Sequence, residues 1–243
     1  MLNIQEASST VVLAAILLLG IAIPVSEANA ETVSFSNITW TIRQGGGGPG
    51  PNNWSPSNVV VDNAGLHLML DCDSSGNNCT TAEVIGNVAV GYGTYTWRLG
   101  TSIGKISSVS DAVLGLFMWS DDGDHTELDV EVAEFRPNTN LVHSVQPKSK
   151  FYLVSEWNTS THTIVWRKRC ATITSTGSNG QRIVSRFSNP PRPLPTTNPR
   201  MNLWFRGGPD PNQSLPDDGN TLNVVILSFT YTPNSGSGGC PAS

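Results

Sequence analysis

The stretch Thr126-Glu127-Leu128-Asp129-Val130-Glu131-Val132 decides how this chain is read. Successive side chains of a β-strand point to opposite faces, so an unbroken polar/apolar alternation specifies a strand with one dry side. Glu127, Asp129 and Glu131 share one face, and Leu128, Val130 and Val132 share the other. The apolar face requires a second layer to cover it. The three carboxylates repel one another, which a strand with no task for them avoids. A solvated outer face is the plain alternative.

The same short pattern recurs on both sides of this stretch. Runs rich in Val, Ile, Thr, Trp and Tyr alternate with Gly, Pro, Asn and Asp, which marks strands joined by turns. The expected strands are Asn58–Val61, Leu66–Leu70, Ala82–Val90, Tyr92–Leu99, Val113–Trp119, Thr126–Phe135, Leu141–Gln146 and Phe151–Glu156. Thr163–Arg169, Arg182–Phe187, Met201–Arg206 and Leu222–Thr232 follow. No stretch beyond the first thirty residues carries helical periodicity. A dozen strands with short connections predict an all-β fold of two antiparallel sheets packed as a jelly-roll sandwich. Gly45–Asn53 and Asn189–Pro199 read as long surface loops rather than linkers.

The bulk numbers fit one such domain. The chain has 243 residues, and sandwiches of ~200–250 residues are commonly single units. With a net charge of -5, and Arg167-Lys168-Arg169 as the single basic cluster, nucleic acid is not an expected partner. Residues 1–30 read as a signal peptide: an apolar run from Val11 to Val25 ends in Ala28-Asn29-Ala30, a small-x-small cleavage site. The run is shorter than the ~20 residues that span a bilayer, so a secreted domain over residues 31–243 is expected, free of the membrane and monomeric.

Four cysteines in an exported chain point to disulfides. Cys72 and Cys79 flank a turn-forming Asp-Ser-Ser-Gly-Asn-Asn, which favours joining them and leaves Cys170 with Cys240. Four cysteines permit three pairings, and the sequence leaves the choice open. No CxxC or HxxxH spacing suggests a metal site, so neither a metal nor any other cofactor is expected. The sequons at Asn37, Asn158 and Asn212 are acceptors for glycans in a eukaryotic host.

The carboxylate spacing suits glycoside chemistry. Four strand steps separate the glutamate α-carbons by ~13 Å at ~3.3 Å per residue. Side chains leaning together would bring the carboxyls to the ~5–5.5 Å of a retaining glycosidase, where one attacks the sugar and the other is acid and then base. Asp129, between them, would raise the proton affinity of its neighbours and help keep Glu131 protonated.

At these residues the sequence resembles glycoside hydrolase family 16, the family of lichenases, laminarinases and other endo-β-1,3(4)-glucanases. Glu127-Leu128-Asp129-Val130-Glu131 matches the unbulged form of its Glu-x-Asp-x-Glu motif. Thr81-Ala82-Glu83, the Val90–Tyr95 hairpin, Trp54–Val59, Gly65–Leu68 and Met201-Asn202-Leu203-Trp204 are similar to further family strands, in the same order over residues 40–232. The resemblance implies Glu127 as nucleophile, Glu131 as acid/base, Glu83 on a sugar hydroxyl, and Asn202 and Trp204 lining the groove. Trp119 and Tyr92 are further candidates for sugar stacking, and His143 for a neighbouring strand of the cleft. The implied substrate is a β-1,3 or mixed β-1,3/1,4-glucan. Alternatives on the same fold are a lectin-like binding module and a wall transglycosylase, the latter suggested by His125 ahead of Glu127. The acidic strand residue that ligates a structural calcium in the family has no counterpart within Val225–Phe229, so calcium is not expected.

Overall fold

The computed structural model describes residues 30–76, 78–122, 126–207 and 215–240. The leader through residue 29, the sequon at Asn212, and His125 lie outside them. Among the described residues the alternating runs form eighteen strands. β1 (Thr32–Phe35), β2 (Ile38–Ile42), β3 (Gly45–Gly47), β4 (Asn52–Trp54), β5 (Val59–Val61) and β6 (Leu66–Cys72) come first. β7 (Cys79–Thr80), β8 (Ala82–Gly86), β9 (Gly93–Leu99), β10 (Ala112–Trp119), β11 (Leu128–Val132) and β12 (Leu141–Val145) follow. β13 (Lys148–Tyr152), β14 (Ser160–Arg167), β15 (Cys170–Gly177), β16 (Arg182–Ser188), β17 (Asn198–Phe205) and β18 (Thr221–Pro233) complete the set.

Sixteen of these strands form two antiparallel sheets, and β3 and β4 pair as a separate hairpin. The front sheet runs β1-β2-β8-β17-β10-β11-β12-β13, and the back sheet β16-β15-β14-β9-β18-β6-β5, with β7 beside β6. This is the jelly-roll sandwich that the patterning predicts. Leu128, Val130 and Val132 of β11 are fully buried beside Leu114, Leu116 and Met118 of β10. Opposite them the back sheet contributes Tyr95, Trp97, Ile164, Trp166, Val224 and Phe229. Each buried aliphatic side chain stabilises the fold by about 1.5–3 kcal/mol. A one-residue slip of β11 would turn three carboxylates into this core, so burial fixes which face they occupy.

Several elements depart from the expectation, among them β3 and β4, which pair as a hairpin where Gly45–Asn53 reads as a loop. β1 and β2 precede the first expected strand, and β15 fills a gap between two others. β15 reads Cys-Ala-Thr-Ile-Thr-Ser-Thr-Gly, polar enough to resemble a loop, yet threonine suits a pleated strand and Ala171, Ile173 and Ser175 face inward. A short helix, Ile103–Ser107, stands where no helical period was visible; the Ser102 side chain caps it by accepting from the Lys105 N–H at 3.0 Å. The disulfides join Cys72 to Cys79 and Cys170 to Cys240, so the last described residue is tied to the start of β15.

One polar network lies between the sheets. His143 on β12 bonds Ser185 Oγ through Nδ1 and Ser175 Oγ through Nε2, both at 2.8 Å. His162 on β14 bonds the same Ser175 Oγ at 2.7 Å and Ser160 Oγ at 2.8 Å, while Tyr152 OH meets Ser185 Oγ at 2.6 Å. Both imidazoles are fully buried. Burial pushes the His143 pKa down to about 3, helped by His162 and Lys150, and that of His162 down to about 4. In the unfolded chain a histidine titrates near 6.5. The neutral native imidazoles therefore contribute stability that is complete above pH ~6.5 and is lost as pH falls toward 4. We expect His162→Asn, which can hydrogen-bond but not titrate, to be less stable than the parent at pH 7. The gap should narrow steadily between pH 6.5 and 4 in denaturant melts; a constant gap would show that the imidazoles do not couple to folding.

Candidate active site

Register on the front sheet assembles the outer face into rows. Glu131 pairs with Gly115, Gly115 with Asn202, and Asn202 with Glu83, so one row crosses β11, β10, β17 and β8. The next row holds Ser144, Asp129, Phe117, Arg200 and Ile85. Glu127 stands just before β11, held to the ladder by the Gln146 N–H, which donates to its carbonyl at 3.2 Å. These rows floor a cleft of about 680 Å³ lined by Glu127, Asp129, Glu131, Glu83, Asn202 and Trp204, with Trp119, Asp121 and Arg43 at its sides. Gly48 and Pro49, from the loop between β3 and β4, reach its rim.

Gly115 lacks a side chain for a visible reason. A Cβ there would collide with Asn202 Oδ1. The glycine thus leaves room over β10 for the Asn202 amide, and its buried Oδ1 has no hydrogen-bond partner among the described residues. A buried acceptor left open in a cleft wall suits a ligand's hydroxyl.

The three carboxylates differ in protonation because their surroundings differ. Asp129 is buried and accepts a hydrogen bond from Ser144 Oγ at 2.7 Å. Burial, then the charges of Glu127 and Glu131, raise its pKa well above the ordinary value, and it shares a hydrogen bond with Glu127. A protonated Asp129 donating to an ionised Glu127 satisfies both. Glu131 is pushed up to about 7, first by burial and then by the Glu127 charge. Asp129 and Glu131 also repel each other, an interaction that lifts Asp129, while the charge that lifts Glu131 is that of Glu127.

No protein-family model matches the sequence, and no curated protein matches it closely enough to serve as a relative. Solved structures do match its shape. A prokaryotic β-1,3-1,4-glucanase (lichenase) derived from a mouse hindgut metagenome superposes with a TM-score of 0.59 at 17% identity, over 83% of this chain and 96% of that one. A glycoside hydrolase family 16 endo-glucanase from Bacteroides ovatus gives 0.60 at 15% identity, over 79% and 94%. The catalytic domain of an endo-1,3-β-glucanase (laminarinase) from Thermotoga petrophila gives 0.59 at 15%, over 84% and 95%. The fold is that of glycoside hydrolase family 16.

Within this family 16 fold the structure gathers most of the residues singled out by sequence. Glu127, Asp129, Glu131, Glu83, Asn202, Trp204 and Trp119 all line the cleft, with both tryptophans half-buried. Two do not belong there. His143 pairs with Val130, shares the inward face of β12 with Leu141 and Val145, and lies in the core network. Its parity with those apolar neighbours was the available signal. Tyr92 precedes β9 of the back sheet, where its ring packs edge-on against Trp166 with centroids 5.9 Å apart. Sequence reasoning also missed Arg43, Arg200, Ser144 and Gly115. Arg200 has the strand parity of Asn202 and Trp204, and Gly115 that of Trp119, which would have placed both on the outer face.

Removing the Glu127 charge tests the electrostatics directly. In Glu127→Gln the Glu131 carboxyl should titrate below its parental value of about 7 yet above 4.5, because burial, the larger cause, is unchanged. Carboxyl-carbon NMR titration checks this, and an unmoved Glu131 would show that the two groups do not interact.

Proposed function

We propose that this chain is a retaining endo-glycosidase that hydrolyses β-1,3 or mixed β-1,3/1,4-glucans. The observation that carries the proposal is the set of three carboxyls on one cleft face, with Glu131 holding its proton up to about pH 7 beside Glu127. The likeness in fold to lichenases and laminarinases supports the same choice of substrate.

Glu127, ionised, attacks the anomeric carbon as the glycosidic bond breaks, and Glu131 passes its proton to the departing oxygen. The now-ionised Glu131 takes a proton from water, whose oxygen releases the sugar from Glu127. Asp129 donates to the Glu127 carboxylate and keeps it aimed. Trp119 and Trp204 offer apolar ring faces for pyranose stacking, and Asn202 Oδ1 accepts from a sugar hydroxyl.

We also place the enzyme outside the cell, as a monomer. The leader-like first thirty residues and the two disulfides support export. No helix among the described residues is long and apolar enough to cross a membrane.

Reducing-sugar release from barley β-glucan, laminarin, xyloglucan and agarose tests the assignment. Glu127→Gln and Glu131→Gln should each lower turnover by roughly 10³-fold or more. Glu131→Gln should remain active on an aryl glycoside whose phenol leaves without a proton. Inactivity of the folded parent on all four polymers would sink the proposal in favour of a binding module. For the parent, kcat/KM should fall as pH rises through about 7, where Glu131 loses its proton. Asp129→Asn keeps a donor toward Glu127 and should cost about tenfold, with Asp129→Ala costing more.

A further inference from the structure

Glu83 lies directly opposite Asn202 and is 2% exposed. The family resemblance assigns its carboxylate to a sugar hydroxyl, yet both oxygens face arginines. Oε2 accepts from Arg43 Nη1 at 2.8 Å, and Oε1 lies 3.6 Å from Arg200 Nη1. Arg43 follows β2; its backbone N–H donates to the Glu83 carbonyl at 3.0 Å, and its guanidinium lies 4.6 Å over the Trp54 ring. Arg200 is held from its other side, Nε donating to Asn198 Oδ1 at 2.9 Å and Nη2 to Asp121 Oδ2 at 2.6 Å. Asp121 in turn accepts from Trp119 Nε1 at 3.0 Å. Arg43, Glu83, Arg200, Asp121 and Trp119 thereby form one linked wall of the cleft.

Two features of this wall define what it can bind. Its two guanidinium groups are balanced by two carboxylates, so it presents N–H donors without a net field to draw an anion. A guanidinium carries five N–H donors in a rigid fork. Arg43 gives one nitrogen to Glu83 and keeps its side chain 28% exposed at the cleft. The Arg43–Glu83 end of the wall is also remote from the reacting centre. β8 is three strands from β11, about 14 Å at ~4.8 Å per strand, so a chain reaching Arg43 extends beyond the ring held at the carboxyls.

We infer that Arg43 forms a distal subsite for the hydroxyls of a neutral glycan chain, and that Glu83, braced on its other side by Arg200, is the positioning residue holding the Arg43 guanidinium there. The inference rests on the glucanase proposal and adds the residues that make the enzyme sensitive to chain length. One N–H donor lost toward a neutral hydroxyl costs less than a catalytic group, and it costs binding before turnover.

The test compares kcat and KM on neutral β-gluco-oligosaccharides of increasing length and on a short aryl glycoside. Calorimetric binding of the same oligosaccharides to a Glu127→Gln background runs in parallel. In the parent, kcat/KM should climb with length. Arg43→Ala and Glu83→Gln should each lower the long-to-short ratio of kcat/KM about tenfold, through KM, and weaken long-chain binding by a similar factor. Arg43→Lys keeps the charge without the fork and should fall between. An equal loss on long and short substrates would make the cluster merely structural and overturn the inference, as would an unchanged ratio. A parent that cleaves no glucan, with long-chain binding still weakened in the Arg43 variant, would overturn the glucanase proposal and leave the subsite standing. Should Glu83→Gln fail to fold, the Arg43 variants carry the same test.

Discussion

Burial of Leu128, Val130 and Val132 is the constraint on which the rest of this molecule depends. These three side chains are fully enclosed between the sheets, and strand geometry then leaves Glu127, Asp129 and Glu131 no choice of face. Register extends the consequence sideways. β10 brings Gly115 beside Glu131, β17 brings Asn202 beside Gly115, and β8 brings Glu83 beside Asn202. The cleft is the outer print of the core.

Concentrating acidic groups in a partly dry cleft is electrostatically costly, and the structure relieves the cost in two ways. Near the carboxylate strand it does so by raised proton affinity: burial and neighbouring charge lift Asp129 well above the usual carboxylate range and Glu131 to about 7. Across the cleft it does so by pairing: Glu83, more deeply enclosed than either catalytic candidate, sits between Arg43 and Arg200. Removing one member of such a buried pair is strongly destabilising, whereas the assembled pair adds little net stability, so the arrangement is better explained by site geometry than by stability. Polar groups on the inward side obey the same rule. His143 and His162 are kept neutral in the core and satisfied by serines rather than by charges.

Much of the fold was legible in the chain because period-two patterning is a local property. It placed the strands β10, β11 and β17, the core-facing residues of β11 and the shared face of the carboxylates. It failed at β15, where small polar residues make an inward face that looks like a loop, and at the short capped helix after Ser102. Within the site, parity alone was enough to put Arg200 with Asn202 and His143 with Leu141. His143 does lie on the strand next to the carboxylates, as expected, but on its inward face, opposite Val130.

By itself the sequence determined that Glu127, Asp129 and Glu131 project from one face of one strand, since alternation is a matter of backbone geometry. The tertiary structure decided which of them carry protons, because that depends on burial and on the charges brought alongside. It also decided that Glu83 meets Arg43, 40 residues away, and Arg200 rather than standing open to solvent. Those partners arrive through the pairing of β2, β8 and β17, and strand pairing at such separations is specified by the whole core rather than by any segment read alone.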